Sequence, residues 1–271
     1  MNRVVALKLI PAIVIAFVVS SPGFADTAIL VALPSEQSAL SQEVRIVGQS
    51  VELAQHRISI GYHKGEKLYI VRTGAGNLNS AMVTQALLTR YKIDRVISIG
   101  VAGNLNDEWY VADLLIVTNV VNHQEGTETP GGFQPVEKLA STQSRSGEYW
   151  KKCEALRSNA IEIARTTLTN DSCVIHQGRL VSGDSFIAST AKRRWLRETF
   201  HADAVDMVSA GITRVCEANG VPYAIIRTLS DNADESASAA FAKFVQSGKE
   251  KEPVTVPIAL RLIEQVAPPH P

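Results

Sequence analysis

Ser230 and Asp231 stand at the end of a stretch, Val221 to Asp234, in which polar groups follow directly on an apolar run. Tyr223 to Ile226 has the composition of a strand buried on both faces of a parallel sheet. Arg227 comes next, and Ser230-Asp231 falls at the strand's carboxyl end. Open α/β sheets place their ligands at such ends, so Asp231 is the first candidate for an acid. Taken alone, the cluster reads first as a turn and cap before a helix starting near Glu235. The reading changes with three further clusters at strand ends. These are Glu36 at the head of the first helix, the turn Gly74 to Asn77, and Ser182 to Ile187 with Phe186 inside it.

The elements that must position these groups follow from periodicity. Strands are expected at Ala28–Leu33, Arg95–Ile99, Leu114–Val121, Cys173–Val181 and Ala202–Met207. A hairpin is expected from His56–His63, a turn at Lys64-Gly65, and Lys67–Thr73. Helices are expected at Leu78–Tyr91, Trp150–Thr167, Thr190–Phe200 and Ser209–Ala218, with a terminal helix that breaks near Lys251 to Val256. Strands alternating with helices predict an α/β fold. The expectation is a single domain with a central mixed, mostly parallel twisted sheet flanked by helices. The polar connection Asn122 to Gly147 is long, and so a candidate lid or substrate-facing loop.

Composition excludes several classes. The chain has 27 basic and 27 acidic residues, with no basic stripe to hold a nucleic-acid backbone. Met1 to Ala25 has a basic start at Arg3 and Lys8, an apolar core Leu9–Val19, and Gly23-Phe24-Ala25 at a cleavage position. That is the pattern of a secretory signal. The apolar core is short of the ~20 residues that span a bilayer. Residues 26–271 are then the mature domain, periplasmic or secreted, with no membrane association after cleavage.

Cys153 and Cys173 flank a helix of ~15 residues, which separates its ends by roughly 22 Å. A bridge needs Cα atoms within ~7 Å, so no disulfide is expected between them. Cys216 falls on an apolar helix face and is expected to be a buried free thiol. The six histidines are scattered and no Cys-x-x-Cys pair is present, so neither a metal site nor a cofactor is expected.

The same segments carry a resemblance. Ala28–Glu36, Thr73–Ala81, Ser98–Leu105, Ser182–Ile187, Ala204–Met207 and Ile225–Phe241 occur in the order found in the purine nucleoside phosphorylase/nucleosidase superfamily. The chain is most similar to the 5′-methylthioadenosine/S-adenosylhomocysteine nucleosidases. The specific runs are Ser-Gly-Asp-x-Phe-Ile and Arg-x-x-Ser-Asp-x-Ala-Asp. The resemblance implies cleavage of a ribose–purine bond. It makes Asp231 the acid to the purine and Glu36 the base that prepares water, the logic of one acid and one base flanking a glycosidic bond. On residues alone, Glu36 is merely a favourable charge in a helix's first turn. The resemblance also implies that Phe186 and Ile187 hold the base, that Ser230 and Arg227 support it, and that Met207 lies under the ribose. Phe241 would line the 5′ end, and Ala102 and Gly103 would belong to the same pocket. Without it, Phe186, Met207 and Phe241 are ordinary core side chains. It further implies a homodimer.

The chain departs from the family at three positions, the mildest being Asp206, which replaces a glutamate. Val208 stands where a family glutamate grips the ribose hydroxyls, and Val101 where a small polar residue is usual. Two alternatives to a nucleosidase follow. One is a non-catalytic nucleoside or base binder, to which the apolar Val208 points. The other is a phosphate-dependent phosphorylase, against which the first strand–helix loop speaks, since it reads Pro34-Ser35-Glu36-Gln37 with no arginine.

Overall fold

The computed structural model describes residues 26–136, 146–168, 173–246 and 254–265. The expected signal, Met1 to Ala25, lies outside them. Strand β1 (Thr27–Val31) is buried at every position and pairs in parallel with β5 (Glu66–Arg72) and β6 (Arg95–Asn104). It stops at Val31, short of the expected Leu33. The N–H groups of Ala32 and Leu33 turn to the Glu36 carboxylate instead of a ladder. Pro34 opens helix α1 (Pro34–Glu43), a position where its missing N–H costs nothing.

The hairpin forms as expected, with β4 (His56–His63) antiparallel to β5. Its turn places both Lys64 and Gly65 at positive φ. Two short strands, β2 (Arg45–Ile46) and β3 (Val51–Leu53), extend the β4 edge. Helix α2 (Asn77–Arg90) connects β5 to β6. Strand β7 (Leu114–Asn122) then leads into a small separate hairpin, β8 (Gly126–Thr129) and β9 (Gly132–Pro135). The connection expected to be a loop therefore has structure of its own, although residues 137–145 lie outside the described ones.

Helix α3 (Gly147–Thr167) precedes β10 (Ile175–Ser182), α4 (Thr190–Phe200), β11 (Ala204–Asp206) and α5 (Ser209–Asn219). Strand β12 (Tyr223–Asp231) is followed by α6 (Ala237–Gln246) and α7 (Thr255–Gln265). The expected break in the terminal helix falls between these two, with residues 247–253 outside the described ones.

The main sheet runs β11-β10-β7-β12-β6-β1-β5-β4-β2. Five of the eight pairs along this path are parallel; β12–β7, the β4–β5 hairpin and β4–β2 are antiparallel. The end of β6 also pairs antiparallel with β11 through Gly103 and Asn104, so five strands close into a ring. Apolar side chains fill both faces. One cluster joins Val83 and Leu87 of α2 to Ile212 and Cys216 of α5. The other joins Leu40, Leu156, Ile163, Ile258 and Leu262 from α1, α3 and α7. Cys153 and Cys216 are buried free thiols, and Cys173 is half-buried. Among the described residues no helix is long and apolar enough to cross a membrane.

Helices α2 and α5 touch at Gly211. A Cβ there would lie 2.2 Å from the Asn77 carbonyl oxygen and 2.5 Å from Ser80 Oγ. The carbonyl is backbone and has no rotamer to yield. Gly211→Ala should therefore cost about 1–3 kcal/mol by overpacking, read as a lower denaturation midpoint at unchanged m-value.

Candidate active site

A cavity of about 390 Å³ opens at the carboxyl ends of β1, β6, β11 and β12. A Cβ at Gly100 would lie 3.2 Å from the Ala32 methyl, and one at Gly103 would lie 3.1 Å from Asp231 Oδ1.

Asp231 is part of the lining. It pairs with Gly103 across β12 and β6, and the register shifts between Leu229 and Asp231. This bulge accommodates Ser230 as an extra residue, so that Ser230 and Asp231, which would face opposite sides of a regular strand, both line the cavity. Asp231 is 2% exposed. Its Oδ1 accepts the Ala233 N–H at 2.9 Å, and its Oδ2 accepts the Ser230 hydroxyl at 2.8 Å. Burial is the largest influence on its carboxyl and holds it above the ordinary range, against the pull of those two donors. Gly103 is glycine for a steric reason, because Asp231, Ala233 and Val205 all crowd its Cβ position.

Phe186 and Phe241 line the cavity with ring centroids 5.9 Å apart in an edge-to-face arrangement. Phe186 is 45% exposed, unusual for a large aromatic ring. Ile187, Ala102 and Met207 also line the wall, so the structure brings these expected residues together with Asp231. Val101 and Val208 line it too, at two of the positions where the chain departs from the resemblance.

Arg227 is placed differently from expectation. It lies inside β12, fully buried, and does not line the cavity. Its Nε donates to Asp206 Oδ2 at 3.0 Å, its Nη1 to the Ser98 and Ile226 carbonyls, and its Nη2 to the Ser98 and Ser209 hydroxyls. Its role is to fix Asp206, which does line the cavity. Glu36 is also not among the lining residues. Its Oε2 accepts the N–H groups of Ala32 (3.1 Å) and Leu33 (3.0 Å), and those two residues form the wall.

The glycine turn into α2 offers no vacant anion site. The Asn77 N–H donates to Asp184 Oδ1, and the Gly76 N–H donates to the Met207 carbonyl. A carboxylate of the chain itself occupies the helix N-terminus where an external anion would bind.

The family model described as the phosphorylase superfamily matches residues 26–264. The chain belongs to the phosphorylase superfamily. It is 29% identical to the aminodeoxyfutalosine nucleosidase of Helicobacter pylori over 196 residues, 70% of this chain and 79% of that protein. It is 30% identical to the 5′-methylthioadenosine/S-adenosylhomocysteine nucleosidase of Bacillus thuringiensis over 225 residues, 76% of this chain and 89% of that protein. The futalosine hydrolase structure from Helicobacter pylori has a TM-score of 0.77 at 23% identity, covering 90% of this chain and 99% of that one. That likeness is one of fold, and it matches the expected single α/β domain.

Several features of this superfamily member were not singled out from sequence. Ala32, Leu33, Ser185, Val205 and Ser238 line the cavity because of where loops meet. Asp206 was marked in the sequence only as an aspartate replacing a family glutamate, and its pairing with Arg227 needed the fold. A second cavity of about 660 Å³ lies beyond Ser185 and Ile187. His123, Phe133, Lys192 and Trp195 line it, so the β8–β9 connection faces this space. Burial, with Lys192 next, pushes the His123 imidazole down to about 4. Among the described residues no cluster could hold a metal ion.

Removing Arg227 strands a buried carboxylate. Arg227→Met should cost about 3–5 kcal/mol in urea denaturation, and Asp206→Asn in the same chain should return part of that loss. Asp231 sets a pH signature. Its folded-state value lies above the unfolded one, so its stabilising contribution is complete below the unfolded value and is lost as pH rises through the folded value. Asp231→Asn should melt above wild type at neutral pH, with the gap closing toward about pH 4.

Proposed function

We propose that this protein is an exported nucleosidase that hydrolyses the N-ribosidic bond of an adenine-type purine nucleoside. The observation that carries the reading is Asp231, a buried carboxyl held toward its protonated form at the end of a cavity. A protonated carboxyl there can give its proton to a purine ring nitrogen. That makes the base a better leaving group as the sugar gains cationic character. Ser230 fixes the carboxyl by its hydrogen bond. Phe186 offers a partly exposed aromatic face against which a base can stack, and Ile187 lies beside it. Phe241 closes the side assigned to the 5′ substituent. The relatives named as nucleosidases for 5′-methylthioadenosine, S-adenosylhomocysteine and aminodeoxyfutalosine support an adenine-type substrate with a variable 5′ group.

Glu36 is assigned to water. Its carboxylate lies beside Ala32 and Leu33, the wall residues that follow β1. One acid and one base would then flank the bond. Phosphate is a poor fit as the nucleophile. Among the described lining residues there is no lysine or arginine, and Asp184 fills the α2 N-terminus. The binder reading rests on Val208 and the export signal, whereas the raised carboxyl of Asp231 has no evident use in mere binding.

We assign export to residues Met1 to Ala25 on their sequence pattern. We also assign a homodimer. Leu78 and Met82, one turn apart on α2, are 79% and 43% exposed, which suits a face covered by a second copy.

The test is adenine release from 5′-methylthioadenosine, S-adenosylhomocysteine and adenosine by residues 26–271, with and without phosphate. Phosphate-independent release is expected, falling as pH rises through the Asp231 value. Asp231→Asn should lower kcat by about 10²–10⁴ with the fold retained, and Glu36→Gln should lower it comparably. Unchanged rates in Asp231→Asn would overturn the assignment, and strict phosphate dependence would make the enzyme a phosphorylase.

A further inference from the structure

We infer that the sugar end of this cavity has no free carboxylate to accept from a ribose 2′- or 3′-hydroxyl, so that the enzyme takes 2′-deoxyribonucleosides as readily as ribonucleosides. This rests on the nucleosidase reading, which sets the base at Asp231 and the water at the Ala32–Leu33 end. The sugar then spans the middle of the cavity.

The wall at that level is the segment Asp206 to Val208, since the nucleosidase reading sets Met207 under the ribose. Among the described residues lining the cavity, the charged side chains are Asp206 and Asp231. Both Asp206 oxygens are taken. Oδ1 accepts the Val208 and Ser209 N–H groups at 3.3 and 3.2 Å. Oδ2 accepts Arg227 Nε at 3.0 Å and the Ser209 hydroxyl at 2.5 Å.

A sugar hydroxyl reaching Asp206 would have to displace one of these donors. Each is itself buried, and a buried donor left without an acceptor is costly. The backbone carbonyls of the wall already accept donors. The Met207 oxygen accepts the Gly76 N–H at 2.9 Å, and the Val208 oxygen accepts the Ser80 hydroxyl at 2.8 Å. The side chains beside Asp206 on this wall are apolar, Met207 and Val208, and Val101 also lines the cavity.

Selectivity follows from the missing acceptor. A site built around a hydroxyl rejects the analogue lacking it, because its own polar groups are then left unpaired. A wall with nothing to leave unpaired has no such penalty. It costs the ribonucleoside instead, since its hydroxyls lose water and gain no partner. The base and the 5′ group would then determine substrate choice, and the sugar would be selected by shape.

The experiment compares kcat/KM for adenosine against 2′-deoxyadenosine, and for 5′-methylthioadenosine against its 2′-deoxy analogue, with the mature wild-type protein and with Val208→Glu and Val208→Gln. In wild type, removing the 2′-hydroxyl should not lower kcat/KM. Each variant supplies an acceptor on the same wall and should shift the ratio toward the ribonucleoside, Val208→Glu by about tenfold or more, the worth of a hydrogen bond involving a charged group, and the neutral Val208→Gln by about threefold to tenfold. Thermal melting checks that the variants fold, and Gln introduces no buried charge. A loss of tenfold or more on removing the hydroxyl in wild type overturns the inference while leaving the nucleosidase reading intact. Folded variants with an unchanged ratio overturn the role of Val208. If no nucleoside is cleaved, the nucleosidase reading falls. Calorimetric Kd values for adenosine and 2′-deoxyadenosine then decide the sugar question, with tighter binding of adenosine by tenfold counting against it.

Discussion

The structure depends on keeping one guanidinium out of water. Arg227 lies in the middle of β12 with no exposed surface. A buried cation is strongly unfavourable unless its donors find acceptors. The acceptors come from four elements: the Ser98 carbonyl and hydroxyl on β6, the Ile226 carbonyl on β12, Asp206 at the end of β11, and Ser209 at the start of α5. Satisfying Arg227 therefore requires β6, β11, β12 and α5 to converge at one point. Three of these four elements form walls of the cavity, and the fourth caps the loop that carries Met207 and Val208.

That convergence gives two aspartates different environments. Asp206 meets Arg227 and a ring of N–H and O–H donors, so its charge is matched in place. Asp231 lines the same cavity with a hydroxyl and one backbone N–H for company, and burial pushes it toward the protonated form. Environment rather than residue type decides which carboxylate can give up a proton and which holds a wall in position. The pairing that holds the fold together also uses up Asp206 as a ligand for anything in the cavity.

Steric demands complete the arrangement. The end of β6 is pinched between β11 and β12 as the sheet closes. At Gly103 a side chain would meet Asp231, Ala233 and Val205 at once. The bulge at Ser230 belongs to the same closure, and it turns two consecutive polar residues into the cavity. Ring closure, bulge and glycine are one geometric solution, and the acid's position is its product.

By itself the sequence determined the alternation of strands and helices, the hairpin at Lys64-Gly65, and the polar clusters at strand ends. These are local properties: apolar period, turn chemistry and composition act within a few residues. Asp231 stood out as an acid at a strand end, whereas Phe186, Ile187 and Met207 were marked only by the family resemblance, since on residues alone they read as core. Tertiary structure decided the rest. Arg227 looks from sequence like part of the rim, since nothing local says whether a charge after an apolar run faces solvent or a partner twenty-one residues earlier. The closing pair β6–β11, the saturation of Asp206 and the second cavity near His123 all depend on contacts between distant segments. Hydrogen-bond saturation in particular belongs to no single residue. It is decided when every donor around a carboxylate has been placed, and only the packed fold places them.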